Sequence, residues 1–581
     1  MRAARTILLV LVLLGTAFAT TASAGLPSAP TGLRGFELRP NDTPSRTFTR
    51  TPAFAWNPVR GASCYEFELA TSRSFNGSSV IWSNVSTDAN SGKHCTPVRV
   101  SFPRAATPAD DSQSTGGEEG ESTSQEMVRF TIAPIRVPAA SINLTLPWFT
   151  GKGPFALYAH VRSVTTQGAS AWSHPYSFDM RWENGPTPQS ARPGLVRWAP
   201  VEGATMYQVW LGGRGPTHFP NRIIGTHTNV ADLRDAYTFH LDENWWRTVE
   251  WRVRAIRQVV GAIPNGLPAV SYGPWSPIYA TTNPGWTSGK IRLGAAVSDR
   301  ISSGGLAPPH YLMPALTWTG DQSLEGDSYR LFRVYIATDR DCVNIVFRGA
   351  VVGGPAWAPR LKSLLKLPSS QEEIDAAQFA YLPLAASEGV KSTMADNTPV
   401  TATETANRVD LPDLDLETTR YFWTVVPVGV TVDDAGAFTY TDVEIPQDAC
   451  QAGRVSMFGK DSQAAQTAGG GPYVSGLTPT GRLLQQASGA RPTVFATPLV
   501  AWRPVVGATE YEVQWSRTAY PWRKRGSKRT VATSSVLSLS RGTWYYRVRG
   551  LNAAQVGTSA MTWSTPVALR IVKPTFRITH G

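Results

Sequence analysis

The chain is 581 residues long and carries a formal net charge of +12. That length points to several domains rather than one, and no stretch beyond the first 24 residues is apolar enough for a membrane-spanning helix. The four cysteines contain no Cys-x-x-Cys pair, which argues against a zinc site, and GxSxG, HExxH and P-loop patterns are absent.

Arg2 and Arg5 precede an apolar run from about Ile7 to Ala19, followed by Ala22-Ser23-Ala24. This is the pattern of a secretory signal peptide, residues 1–24. Its removal takes two cations and no acid, leaving +10. The expected mature protein is secreted, extracellular, and either soluble or held non-covalently at a cell surface. Its basic balance suits either solubility or attraction to anionic polymers, lipids or polysaccharides.

One phrase recurs along the chain. It reads WNPVRGASCYEFEL from Trp56, WAPVEGATMYQVWL from Trp198 and WRPVVGATEYEVQW from Trp502. After each Tyr (Tyr65, Tyr207, Tyr511) apolar residues alternate, the signature of a strand with one buried face. The Pro-Val-x-Gly-Ala stretch between them is a turn. A fourth copy starts at Trp318, with Phe332 in place of the Tyr and a turn five residues longer. Each copy is followed by an aromatic alternating strand: LYAHVRSV from Leu157, WRVRAIR from Trp251, YFWTVVPV from Tyr421 and WYYRVRGL from Trp544. The first, second and fourth copies then carry a Trp-Ser phrase, at Trp172, Trp275 and Trp563.

This ordering resembles the fibronectin type III domain. The resemblance implies an all-β chain of four tandem immunoglobulin-like sandwiches. Trp56, Tyr65, Trp198, Tyr207, Trp318, Phe332, Trp502 and Tyr511 are the expected structural core. The domains are expected at 25–183, with an acidic disordered insertion near 105–127; at 184–283; at 284–460, with an insertion near 380–408; and at 481–576, after a linker at 461–480. Short Pro/Gly junctions suggest that the first three form a stiff rod. In an oxidising compartment Cys64, Cys95, Cys342 and Cys450 are disulfide candidates. Three connectivities are open; Cys64–Cys95 and Cys342–Cys450 are preferred because each stays within one domain. The Trp-Ser phrases also resemble those of cytokine-receptor modules. That resemblance implies stacking of Arg252 and Arg254 on Trp275, and of Arg547 and Arg549 on Trp563.

No catalytic constellation stands out, so the expectation is a non-enzymatic protein with no cofactor and no metal. His160 reads as a strand residue, solvent-facing or hydrogen-bonded. Asp339 and Asp341, and the acids from Asp410, read as turn acids rather than a calcium loop. The sharpest local signal is WSRTAYPWRKRGSKRT from Trp515, the basic hairpin 515–530. Arg517, Arg523, Lys524, Arg525, Lys528 and Arg529, with Tyr520 and Trp522 among them, form a candidate site for an anionic partner. The competing role is a solvated hairpin whose cations guard a sheet edge. The remaining Trp residues, among them Trp82, Trp148, Trp182, Trp210, Trp245, Trp246, Trp286 and Trp357, suit either exposed sugar-stacking platforms or packing under loops and at junctions. The sequence therefore supports an adhesion or scaffold protein binding a protein or an anionic cell-surface polymer, with nucleic acid disfavoured. A carbohydrate-binding accessory protein is the alternative.

Overall fold

A computed structural model of the chain describes residues 26–36, 46–86, 92–105, 126–149, 155–182, 185–189, 194–212, 222–233, 248–264, 266–282, 287–298, 309–353, 355–360, 392–393, 411–413, 420–432, 438–461, 473–475, 485–487, 493–494, 499–552 and 559–572. Its described elements are strands, apart from one helix, Pro446–Gln451.

The strands build four pairs of sheets, so the all-β sandwich expectation holds. In the first pair, Arg34–Phe36, Ala53–Ala55 and Ala139–Ser141 form a three-stranded sheet. The larger sheet runs Thr47–Phe48, Tyr176–Met180, Leu157–Thr165, Cys64–Ala70, Val80–Ser83. The same pairing of a three-stranded with a larger sheet recurs three times along the chain. Between the two sheets lie the inward residues of the alternating strands. Phe67, Leu69, Val161 and Phe178 have no exposed surface.

The repeated phrase has a geometric reason. Trp and Tyr meet edge to face at 5.2 Å for Trp56–Tyr65, 5.3 Å for Trp198–Tyr207 and 5.5 Å for Trp502–Tyr511. Each tyrosine hydroxyl then accepts the N–H of the valine in the turn. The distances are 3.0 Å at Val59, 2.8 Å at Val201 and 3.1 Å at Val505. The ring fills the core while its hydroxyl ties the turn that leads into the strand, so Pro-Val and Tyr occur together. Phe332 keeps the ring contact, 5.6 Å from Trp318, but has no hydroxyl. That copy is the one whose turn has lengthened.

Both preferred disulfides, Cys64–Cys95 and Cys342–Cys450, are present. The third sandwich lacks a Trp-Ser phrase. There the helix Pro446–Gln451 carries Cys450, and Arg333 forms a fully buried 2.8 Å ion pair with Asp442.

The rod expectation fails. The contacts between sandwiches close on themselves. The first meets the second where Trp148 N–H donates to Ser271 and Arg257 donates to the Leu146 carbonyl. A hairpin of Val98–Pro103 and Met127–Ile132 also reaches across, and Ile263 N–H donates to the Pro103 carbonyl. The second meets the third through Leu195, Val230, Val297, Ala315 and Ala358. The third meets the fourth where Asp413 accepts from Thr562. The fourth returns to the first through Ala53, Ala55, Ala139, Leu499 and Ala501. The physical reason is that strands such as Ala53–Ala55 and Leu499–Ala501 are apolar on both faces. Their inward residues fill the sandwich, and their outward residues need a neighbour.

One boundary also shifts. Tyr473–Ser475, inside the expected linker 461–480, pairs with Leu499–Ala501, so the last sandwich begins before 481. The core of the acidic insertion, 106–125, lies outside the described residues; its flanks close the hairpin, with Arg104 2.7 Å from Glu126. Of the insertion near 380–408 only Ser392–Thr393 is described, as a strand parallel to Phe438–Asp442.

Candidate functional site

The basic hairpin folds as two strands, Glu510–Ser516 and Lys524–Thr530. The second of these is the last strand of its sheet, so one side of it has no strand partner among the described residues. Sequence alternation sets the faces. Lys528 lies opposite Val513, while Ser527 and Arg529 lie opposite Gln514 and Glu512. Arg523, Lys524, Arg525, Lys528 and Arg529 are all exposed, and Tyr520 is 76% exposed in the connecting turn. No acid occurs between Arg517 and Thr530. Gly526 has a local role: a Cβ there would collide with the indole of Trp515, which lies across the edge strand.

Two of the expected binding residues also make contacts within the sandwich. Arg517, half-buried, lies 3.7 Å over the Trp544 ring and donates to the Thr543 and Arg541 carbonyls and to Ser540. Trp522 is the first rung of a stack on the outer sheet face. Arg547 lies between Trp522 and Trp563, at 4.4 and 4.3 Å, and Arg549 covers the far side of Trp563 at 4.6 Å. The expected stacking of Arg547 and Arg549 on Trp563 is therefore present, with one rung more than the sequence suggested.

Polar partners hold the stack in register. Gln514 accepts from Trp522 and Arg547, and Glu512 accepts from Arg549 at 2.7 Å. Burial works against the Glu512 carboxylate, but hydrogen bonds from Gln514 and Arg549 outweigh it and hold its pKa below the usual range. Burial, followed by the neighbouring Arg549, lowers the pKa of Arg547.

The second sandwich repeats the stack as Trp210, Arg252, Trp275 and Arg254, at 5.0, 4.8 and 4.5 Å. In the first, His160 takes the place of the inner arginine. It lies 3.5 Å from the Phe75 ring and 3.8 Å from Trp172, with Arg162 on the other side of Trp172 at 4.6 Å. His160 also bonds Glu68 at 2.8 Å, in keeping with its reading as a hydrogen-bonded strand residue. In all three sandwiches the serine of the Trp-Ser phrase pairs with the middle of the long strand. Val161, Val253 and Val548 donate to the hydroxyls of Ser173, Ser276 and Ser564.

The other candidates resolve into structural roles. Trp82, Trp148 and Trp357 are buried, and Trp148 meets Trp182 edge to face at 6.1 Å beside the second sandwich. Trp245, Trp246 and Trp286 lie outside the described residues. Asp339 caps its own turn, accepting from the N–H groups of Val343 and Asn344, and these bonds lower its pKa against burial. Asp413 pairs with Lys460 at 3.2 Å. One pair escaped sequence reasoning: Ser298 and His310 lie 2.7 Å apart, both without exposed surface. A nucleophile needs access to its substrate, and this pair has none.

No protein-family model matches the chain, and no curated protein matches it. Among solved structures, it is similar to the crystal structure of chicken CNTN1 FN1-FN3 domains, at 11% identity over 75% of this chain and 99% of that one. The TM-score of that overlay is 0.13, too low to carry an argument, so the fold assignment rests on the strand order described above.

Proposed function

We propose that the chain is an exported, non-enzymatic modular protein that binds an anionic partner through the edge of its fourth sandwich. One observation carries this reading. The edge strand Lys524–Thr530 and Arg523 before it present five exposed cations with no acid among them. Clustered cations attract a polyanion strongly at low salt and weakly once the Debye length shortens. The alternative of sugar stacking on exposed Trp finds less support. Trp210, Trp275, Trp522 and Trp563 each have a ring face covered by an arginine, and others are core residues.

The test is co-sedimentation of the chain from Gly25 with isolated cell envelopes and insoluble polysaccharides at low and high salt. Wild type is expected to sediment at low salt and be released at high salt. A variant with Arg523, Lys524, Arg525, Lys528 and Arg529 replaced by Ser is expected to remain in solution with an unchanged circular dichroism spectrum. Equal binding by the variant would remove the proposal. Binding that resists salt would favour the sugar-stacking alternative.

A further inference from the structure

The edge that carries these cations differs from its three counterparts. The equivalent strands Val80–Ser83, Arg222–Thr226 and Ile345–Arg348 have four, five and four described residues, while Lys524–Thr530 has seven. The second-sandwich edge is also covered at its end, where Thr226 donates to the Pro359 carbonyl of the third sandwich. Among the described residues, nothing hydrogen-bonds the backbone of Lys524–Arg529 on its open side. Short edge strands resist further pairing, whereas a long unpaired one is a template for it.

Resting on the reading that this edge binds an anionic partner, we propose that the partner is an acidic extended peptide segment, taken up as an additional strand along Lys524–Thr530. The open side of a strand alternates N–H donors with carbonyl acceptors. A sulfated or phosphorylated polymer would meet the cations but would also face the carbonyl oxygens, which repel it. An extended peptide satisfies both rows. Cations stand on both faces of the edge, Lys528 beside Val513 and Arg529 beside Glu512, so acids on either face of an incoming strand find a partner. The site has a stop at one end. Just past the strand, Val531 N–H donates to Asn143 of the first sandwich.

The probe is a peptide of alternating Thr and Glu as long as the strand, seven residues, with heparin as a charge-only control. Two further peptides carry backbone N-methyl groups on alternate residues, one on the odd positions and one on the even. Titration against the chain from Gly25 at low salt reads the affinities. Strand addition predicts that one N-methylated set binds at least about tenfold more weakly than the parent while the other stays within about twofold, because only one set points its N–H groups at the edge. If the two sets behave alike, or heparin binds and the peptide does not, strand addition is wrong and the anionic-partner reading survives. If neither probe binds, both fall.

Discussion

Ser141 and Ser534 stand 393 positions apart in the chain, yet Ser534 Oγ donates to Ser141 Oγ at 3.0 Å and Ser141 Oγ donates to the Ser534 carbonyl at 2.7 Å. This contact joins the first sandwich to the fourth and closes the set of interfaces. Around it, Ala53, Ala55, Ala139 and Ala501 let the two three-stranded sheets approach. Replacing Ser141 and Ser534 together by Cys should therefore yield a third disulfide on mild oxidation, visible by peptide mapping and as a faster non-reducing gel band. A chain that stays uncrosslinked would mean that the ends do not meet in solution.

The tyrosine that ties each turn makes a second prediction. Tyr207→Phe keeps the ring against Trp198 and removes only the bond from Val201 N–H. A loss of about 0.5–1.5 kcal/mol is expected by chemical denaturation, the ordinary value of one such bond. Burial pushes the Tyr207 pKa up to about 12, so the hydroxyl stays neutral throughout the accessible pH range.

The aromatic–cation stack predicts a graded series in the fourth sandwich. Arg547 touches two indoles and Gln514. Arg547→Ala should cost about 1–2 kcal/mol. Arg547→Lys should cost less but not nothing, since an ammonium cannot lie flat between two rings. Denaturation followed by Trp fluorescence would measure both, and equal stability of all three proteins would reduce the stack to surface decoration.

Acid should weaken the same sandwich. The folded pKa of Glu512 lies below that of an unfolded glutamate, which is about 4.3. Its contribution is thus fully present above that unfolded value and is lost as pH falls through the depressed folded one. Glu512→Gln should be less stable than wild type at neutral pH, and the gap should narrow below about pH 4. Thermal melts across that range would show a constant gap if the carboxylate were not stabilised by Arg549 and Gln514.

The sequence alone determined the sandwich and much of its interior. Period-two alternation after Tyr65, Tyr207, Phe332 and Tyr511 names the buried face of each strand, because successive side chains of a strand point to opposite sides. The disulfide pairs were the preferred of three open connectivities because each stays within one repeat, and the Arg–Trp stacks were implied by the resemblance of the Trp-Ser phrases to cytokine-receptor modules. The packing of Arg517 on Trp544, the added rung of Trp522 and the His160 stack were not legible, because each depends on which neighbouring strand supplies the facing ring. The closed arrangement was least legible. Its signal was present in the doubly apolar strands Ala53–Ala55 and Leu499–Ala501, which announce that an outer face must be covered. What covers it is decided only by tertiary structure, since a hydrophobic face specifies burial without specifying a partner, and the partner here lies more than four hundred residues away.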